Sequence, residues 1–191
     1  MPGLSGAVLS AGALRNRSQP SLAVDELMLR PWRAQDAPRV AEAYRDPAIE
    51  RWHVRSMTES EALDWVATWA GRWTAETGAE WAIAEGDAVV GRVGVNHLDL
   101  AAGRGEAAYW VLPEARGRGV APRALRAATD WMLAEVGLHR IELLHSTANP
   151  ASSRVAEKAG YAFEGILRRQ GLHADGWHDM ALHARLAEDS G

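Results

Sequence analysis

The chain has 191 residues, 47% of them apolar and 24% charged, with a formal net charge of −4 at pH 7. That length and composition suit one globular domain with a single buried core, and the mild acidity excludes a protein that holds nucleic acid by neutralising many phosphates. Cysteine is absent, which excludes disulfides, thiolate metal sites and a cysteine nucleophile and agrees with a reducing, cytoplasmic setting.

The first 23 residues, MPGLSGAVLSAGALRNRSQPSLA, hold a short apolar run, but no basic region precedes it and Arg15 and Arg17 follow it, so it does not read as a signal peptide. Residues 1–24 are expected as a flexible extension and 25–187 as one domain. No run approaches the roughly 18 apolar residues of a membrane span.

ELMLRPW alternates as a first strand. AQDAPRVAEAYRD then reads as a helix, with Asp36 as cap, Pro38 in the first turn and Asp46-Pro47 as its end. Thr58-Glu59-Ser60-Glu61 is a capping box opening a second helix, whose Trp65, Trp69 and Trp73 share one face as a core stripe, one or two of them free to line a groove. EWAIAE, AVVGRVGVNHLDL and EAAYWVL, separated by turns at Gly86-Asp87 and AAGRG, form an antiparallel meander. Helical spacing returns over 118–137, with Leu125, Ala128, Met132 and Val136 on one stripe and Gly137 as terminator. HRIELLHS is a strand, NPASSRVAEKAGY a short helix, and FEGILRR and DMALHARL two last strands. The expected class is α/β of the α+β kind.

The junction VLPEARGRGVAPRAL passes from strand to helix through Gly117 and Gly119, with Arg116, Arg118 and Arg123 around them. A helix start presents free N–H groups and partial positive charge, and glycines let the backbone close on an oxygen cluster, so the junction suits a pyrophosphate. A mononucleotide P-loop fails, because Val120 and Ala121 follow Gly119 instead of Lys-Ser/Thr. A dinucleotide fingerprint fails as well, at Pro122 and at the missing acidic residue after the next strand.

The segment Arg116-Gly117-Arg118-Gly119-Val120-Ala121 resembles the Arg/Gln-x-x-Gly-x-Gly/Ala signature of the GNAT N-acetyltransferases. Likeness to the RimJ/RimL-type branch continues through Glu106-Ala-Ala-Tyr109-Trp110-Val-Leu-Pro113-Glu114, Asn149-Pro-Ala-Ser152, Val155-Ala-Glu-Lys158-Ala-Gly160-Tyr161 and Phe163-Glu164-Gly165, and back to Leu29-Arg30-Pro31-Trp32 with Asp36. The likeness spans roughly residues 26 to 187, with Pro122 and Ala108 as departures. It implies a GNAT fold, a largely antiparallel sheet of about seven strands flanked by about four helices. It also implies transfer of an acetyl group from acetyl-CoA to a primary amine: a protein N-terminus, an aminoglycoside-like antibiotic or a polyamine.

By the same resemblance, Arg116, Gly117, Arg118, Gly119, Val120 and Ala121 bind the pyrophosphate. The Val111 N–H faces the thioester carbonyl, the backbone of Trp110 and Leu112 meets pantetheine, Asn149 bonds the pantetheine amide, and Ser152 protonates the thiolate. Ser153 takes the last role if the register slips by one. For the base, Glu106 comes first, directly or through water, then Glu164, with His53 and His97 near the acceptor side. Freeing an α-amino group at neutral pH costs only about 1 kcal/mol against roughly 4.6 for a lysine, so a site without a strong base favours N-terminal amines. With no cysteine, direct attack in a ternary complex is the simpler route. The seven histidines show no metal-ligand spacing. A homodimer is the default assembly by prevalence. A longer acyl donor such as succinyl-CoA, and a non-catalytic acyl-CoA sensor or interaction module, remain as alternatives.

Overall fold

The computed structural model describes residues 6–190. Strands β1 (Leu22–Val24), β2 (Leu27–Arg30), β3 (Gly78–Glu85), β4 (Ala88–Asp99), β5 (Arg104–Val111), β6 (Arg140–Ser146), β7 (Ala162–His173) and β8 (Gly176–Leu186) form one open sheet in the order β1-β2-β3-β4-β5-β6-β8-β7. Every pairing is antiparallel except β5 with β6. That single parallel pair is enforced by the long crossover through helix α4 (Val120–Trp131), since parallel neighbours cannot be joined by a hairpin.

One face of the sheet carries α1 (Ala37–Ala43), α2 (Pro47–His53) and α3 (Glu59–Thr74), whose Val40, Ile49, Ala62 and Val66 close on Trp110 and Leu112. The other face carries α4 and α5 (Pro150–Lys158), where Leu125, Ala128 and Met132 pack with Val93, Ala107, Val111 and Ile141. Strand alternation makes both faces from one strand, because Trp110 points one way and Val111 the other. The tryptophan stripe of α3 is core, with Trp69 and Trp73 buried. Trp73 meets Trp81 and Trp131, and Trp65 packs edge-on against Trp32 and Trp69.

Three local readings change. Asp46-Pro47, expected only as a helix end, also opens α2: the Asp46 carboxylate accepts from Ala48 and Ile49, and Pro47 sits where a missing N–H costs nothing. The stripe over 118–137 is α4 followed by a π-helical turn, Met132–Val136, which Gly137 ends at φ +89. Residues 6–24 are not a loose extension but pack on the domain, and 22–24 add β1.

The cause is a set of buried partners far along the chain. Leu14 is fully buried, and the Glu76 carboxylate accepts from the N–H groups of Gly12, Leu14 and Arg15 at 2.8–3.3 Å. The indoles of Trp73 and Trp81 donate to the carbonyls of Arg17 and Pro20. Burial opposes ionisation of Glu76, but those amides and Arg15 outweigh it and hold the carboxyl below its usual range. A lowered acid contributes stability above its unfolded-state pKa and loses it as pH falls through the folded-state value. Glu76→Ala is therefore expected to cost about 2–4 kcal/mol at pH 7, with the deficit shrinking under acid in urea titrations at pH 7 and pH 3.

Candidate active site

Strands β5 and β6 run side by side only where 104–106 pair with 140–142. Beyond that point β5 stays bonded to β4 as far as Val111, and β6 stays bonded to β8 as far as Ser146. Each strand is committed to its outer neighbour, so the twisted sheet opens a wedge between them. Counting on in register, Trp110 and Ser146 stand opposite each other across the opening.

The Leu112 N–H donates to the Val90 carbonyl of β4 at 2.9 Å. Backbone groups alternate sides along a strand, so Trp110 also bonds β4, while the N–H and C=O groups of Tyr109 and Val111 turn toward the wedge. Tyr109 O accepts from His53 Nε2 of α2 at 3.1 Å, and Val111 O accepts from Arg116 Nε at 3.2 Å. Of the three positions expected along pantetheine, only Val111 turns its N–H into the opening. Trp110 and Leu112 serve instead by packing on α1 to α3, because their amides are held by β4.

At the wide end lies the glycine-arginine loop. Gly117 and Gly119 adopt φ +75 and +74, and a Cβ on Gly117 would meet nothing within 4 Å. Gly119 is the N-cap of α4, and no side chain caps that helix start. The first amides of α4 thus have no side-chain cap as partner, as an anion cradle requires. The arginines hold protein carboxylates: Arg116 pairs with Asp46 at 2.6 Å, Arg118 with Glu85 at 2.5 Å, and Arg123 with Asp25 and Glu26 at 2.9 and 2.7 Å. These are exposed pairs of small net value, so they exchange for an incoming diphosphate at little cost.

Across the wedge on the α5 face, Asn149 caps α5 by accepting from the Ser152 N–H at 3.2 Å, and its Nδ2 reaches Ser152 Oγ at 3.4 Å. Ser152 Oγ lies 2.8 Å from the Tyr109 hydroxyl. Ser153 turns away to His145, so Ser152 is the hydroxyl that faces β5. Burial raises the Tyr109 phenol to about 12, against the Ser152 contact that lowers it, and keeps it protonated.

The expected bases are placed less favourably. Glu106 stands at the closed end of the wedge, five residues or about 16 Å of strand from Val111, and its carboxylate meets the exposed His97 at 3.3 Å. Its carboxylate therefore does not contact the Val111 end of the opening directly. Glu164 is clasped by Arg140, which holds its carboxyl below the usual range. His53 does reach the wedge, but burial and then the Arg92 charge lower its imidazole to about 3, leaving it neutral and weakly basic.

Sequence reading assigned no part to Tyr109, Ser146, Asp175 or His178, and the structure brings all four to the wedge or its rim. Tyr109 had a signal, since strand alternation puts its hydroxyl on the side opposite Trp110. The other three had none that spacing reveals.

A sheet split beside an uncapped helix start, with a pinned hydroxyl between, defines an enzyme of the acyltransferase class. Residues 26–162 match the family model described as an acetyltransferase (GNAT) domain, and the chain belongs to that family. It is 29% identical over 154 residues to an uncharacterized N-acetyltransferase, YoaA, of Bacillus subtilis, covering 78% of this chain and 87% of the relative. It is 26% identical over 102 residues to the ribosomal-protein-serine acetyltransferase of Escherichia coli, covering 53% and 57%. Among solved structures, Mycobacterium smegmatis RimJ in complex with CoA-disulfide superposes with a TM-score of 0.78 at 25% identity, covering 90% of this chain and 88% of that one. Among the described residues no helix is long and apolar enough to cross a membrane.

Proposed function

We propose that this chain transfers an acetyl group from acetyl-CoA to a primary amine by direct attack in a ternary complex. The residues fit the coenzyme: an open left-handed glycine loop and an uncapped helix start suit its diphosphate, and the wedge suits an extended pantetheine arm. Acetyl-CoA supplies an acyl group already activated as a thioester. The amides of residues 117–121, joined by Arg116, Arg118 and Arg123, hold the phosphates. The Val111 N–H donates to the thioester carbonyl oxygen as negative charge develops there. Ser152, steadied by Asn149 and backed by the protonated Tyr109, gives its proton to the departing sulfur.

The observation that carries this reading is the Ser152 hydroxyl, pinned at 2.8 Å from Tyr109 inside a gap between strands. A named relative acts on ribosomal-protein serine, which supports a protein N-terminus as acceptor, and the lower cost of freeing an α-amino group points the same way. Use of acetyl-CoA and the absence of cysteine support a cytoplasmic setting for the reaction.

An acceptor screen of N-terminal peptides, aminoglycosides and polyamines with acetyl-CoA, read by mass, is expected to return an acetylated amine and free thiol. Binding of acetyl-CoA without thiol release would identify a sensor instead. A side chain at Gly117 is strained by its positive φ, at about 1–2 kcal/mol, and fills the space the phosphates need. Gly117→Val is thus expected to weaken acetyl-CoA binding at least about tenfold by calorimetry while the domain stays folded; unchanged affinity would move the coenzyme off this loop.

A further inference from the structure

The wedge has two faces, and the chemistry described so far uses one. On the α5 face stand Ser152 and Tyr109. On the α2 face, Ser146 at the end of β6 lies across the opening from Trp110. Ser146 Oγ is 2.7 Å from His178 Nδ1, and His178 Nε2 is 2.9 Å from Asp175 Oδ1. The Ala148 N–H donates to the same Oγ at 3.1 Å.

In the neutral imidazole these contacts fix the proton positions. A carboxylate accepts only, so Nε2 carries the proton and Nδ1 is the lone pair, to which Ser146 Oγ–H donates. The serine oxygen is left with an unshared pair beside the opening. An unbroken path runs from that oxygen through the imidazole to Asp175, whose side chain is about half exposed. Hydroxyl, imidazole and carboxylate in this order form an arrangement that removes a proton from a nucleophile.

We propose that the proton shed by the attacking amine leaves through Ser146, His178 and Asp175, an inference that rests on the acetyltransfer reading above. As the amine nitrogen bonds the acyl carbon, Ser146 Oγ takes the N–H proton and passes its own to His178 Nδ1. Asp175 holds the resulting imidazolium, which returns its proton to solvent. On the opposite face the C–S bond breaks, the sulfur takes its proton from Ser152, Ser152 recovers one from the Tyr109 hydroxyl 2.8 Å away, and Tyr109 regains its own from solvent. Amine and thioester become amide and thiol, and no charge stays in the wedge. Two proton carriers on opposite faces suit an acyl carbon whose nucleophile enters on one side and whose leaving group departs on the other.

The groups around His178 are compatible with this role. From α2, Arg51 contacts Asp175 at 3.4 Å and Trp52 packs edge-on at a centroid distance of 6.4 Å. From β7, the His173 ring lies 4.4 Å away and its Nδ1 meets the Arg51 carbonyl. From β8, Asp179 is turned to the Arg169 N–H. Asp175 is thus the only carboxylate in contact with the imidazole among the described residues. Ser146 acts on the amine directly, and His178 and Asp175 position and discharge it.

The test combines His178→Gln, Asp175→Asn and Ser146→Ala with two readouts. Nitrogen-15 NMR of the intact protein is expected to find His178 as the Nε2–H tautomer; an Nδ1–H tautomer would overturn the relay alone. With acetyl-CoA and the amine returned by the acceptor screen, each variant is expected to lose about 10²-fold in kcat/KM, and His178→Gln to lose the acidic limb of the pH profile, while acetyl-CoA affinity stays within threefold. An unaltered profile in folded His178→Gln would reject the relay and leave acetyl transfer standing. Failure of the wild-type protein to bind acetyl-CoA or to acetylate any amine would overturn both.

Discussion

Ser152→Ala is expected to lower kcat by about 10²-fold with little change in the KM for acetyl-CoA. The hydroxyl meets negative charge only as the C–S bond breaks, so it stabilises the transition state and not the bound coenzyme. Tyr109→Phe removes one of the two partners that orient Ser152 and leaves Asn149 in place, so a smaller loss of about tenfold is expected. Because burial raises the Tyr109 phenol to about 12, its ionisation introduces no alkaline limb between pH 7 and pH 10. Steady-state kinetics by free-thiol release check all three statements. A kcat unchanged in Ser152→Ala, or a loss confined to KM, would remove Ser152 from the chemistry and leave it as part of the α5 cap.

The largest effect on stability is expected from Arg92→Leu, on the α3 face of β4. Arg92 and Glu80 form an ion pair at 3.0 Å with almost no exposure, the Arg92 Nη1 donates to the Tyr44 hydroxyl, and the guanidinium lies over Trp65. Gly94 leaves the space that the carboxylate occupies, since a Cβ there would stand 2.3 Å from Glu80 Oε2. Burial raises the Glu80 carboxyl to about 7 even against the attraction of Arg92. Removing the cation strands that carboxyl, and the expected cost at pH 8 is about 3–5 kcal/mol, or a fall in Tm on the order of 10 °C.

A pH dependence follows from the sign of the shift. Glu80 binds its proton more tightly folded than unfolded, so its contribution is full below the unfolded-state pKa and is lost as pH rises through the folded-state value. Without Arg92 that value rises further, so the penalty at pH 5 should be clearly smaller than at pH 8. Unfolding by urea at the two values measures it. Equal penalties would mean that another group answers the carboxylate.

Short-range patterns were legible where one residue type has one physical use. The capping box at Thr58 and Glu61 forms as read, and Gly137 ends its helix in the left-handed region that favours glycine. Asn149 and Ser152 were legible as a pair because a cap and its third helical residue must face each other. Asp46-Pro47 misled because the same dipeptide both stops one helix and starts the next. The tail misled because its anchors are distant: Glu76 meets Gly12 across 64 positions, and nothing near Gly12 advertises a carboxylate.

What the amino-acid order determined by itself was the alternation of helix and strand, the glycine loop able to adopt positive φ, and the two hydroxyl and amide side chains of α5, since each depends on neighbours within a few residues. Only the tertiary structure decided where β5 leaves β6, which carboxylates hold Arg116, Arg118 and Arg123, and that Tyr109 meets Ser152 and His178 meets Ser146. Those contacts join positions from 32 to 98 residues apart. The ladder chemistry is the same on both sides of a strand, so the place where a sheet opens is set by which neighbour holds each strand more firmly, a property of the assembled layers.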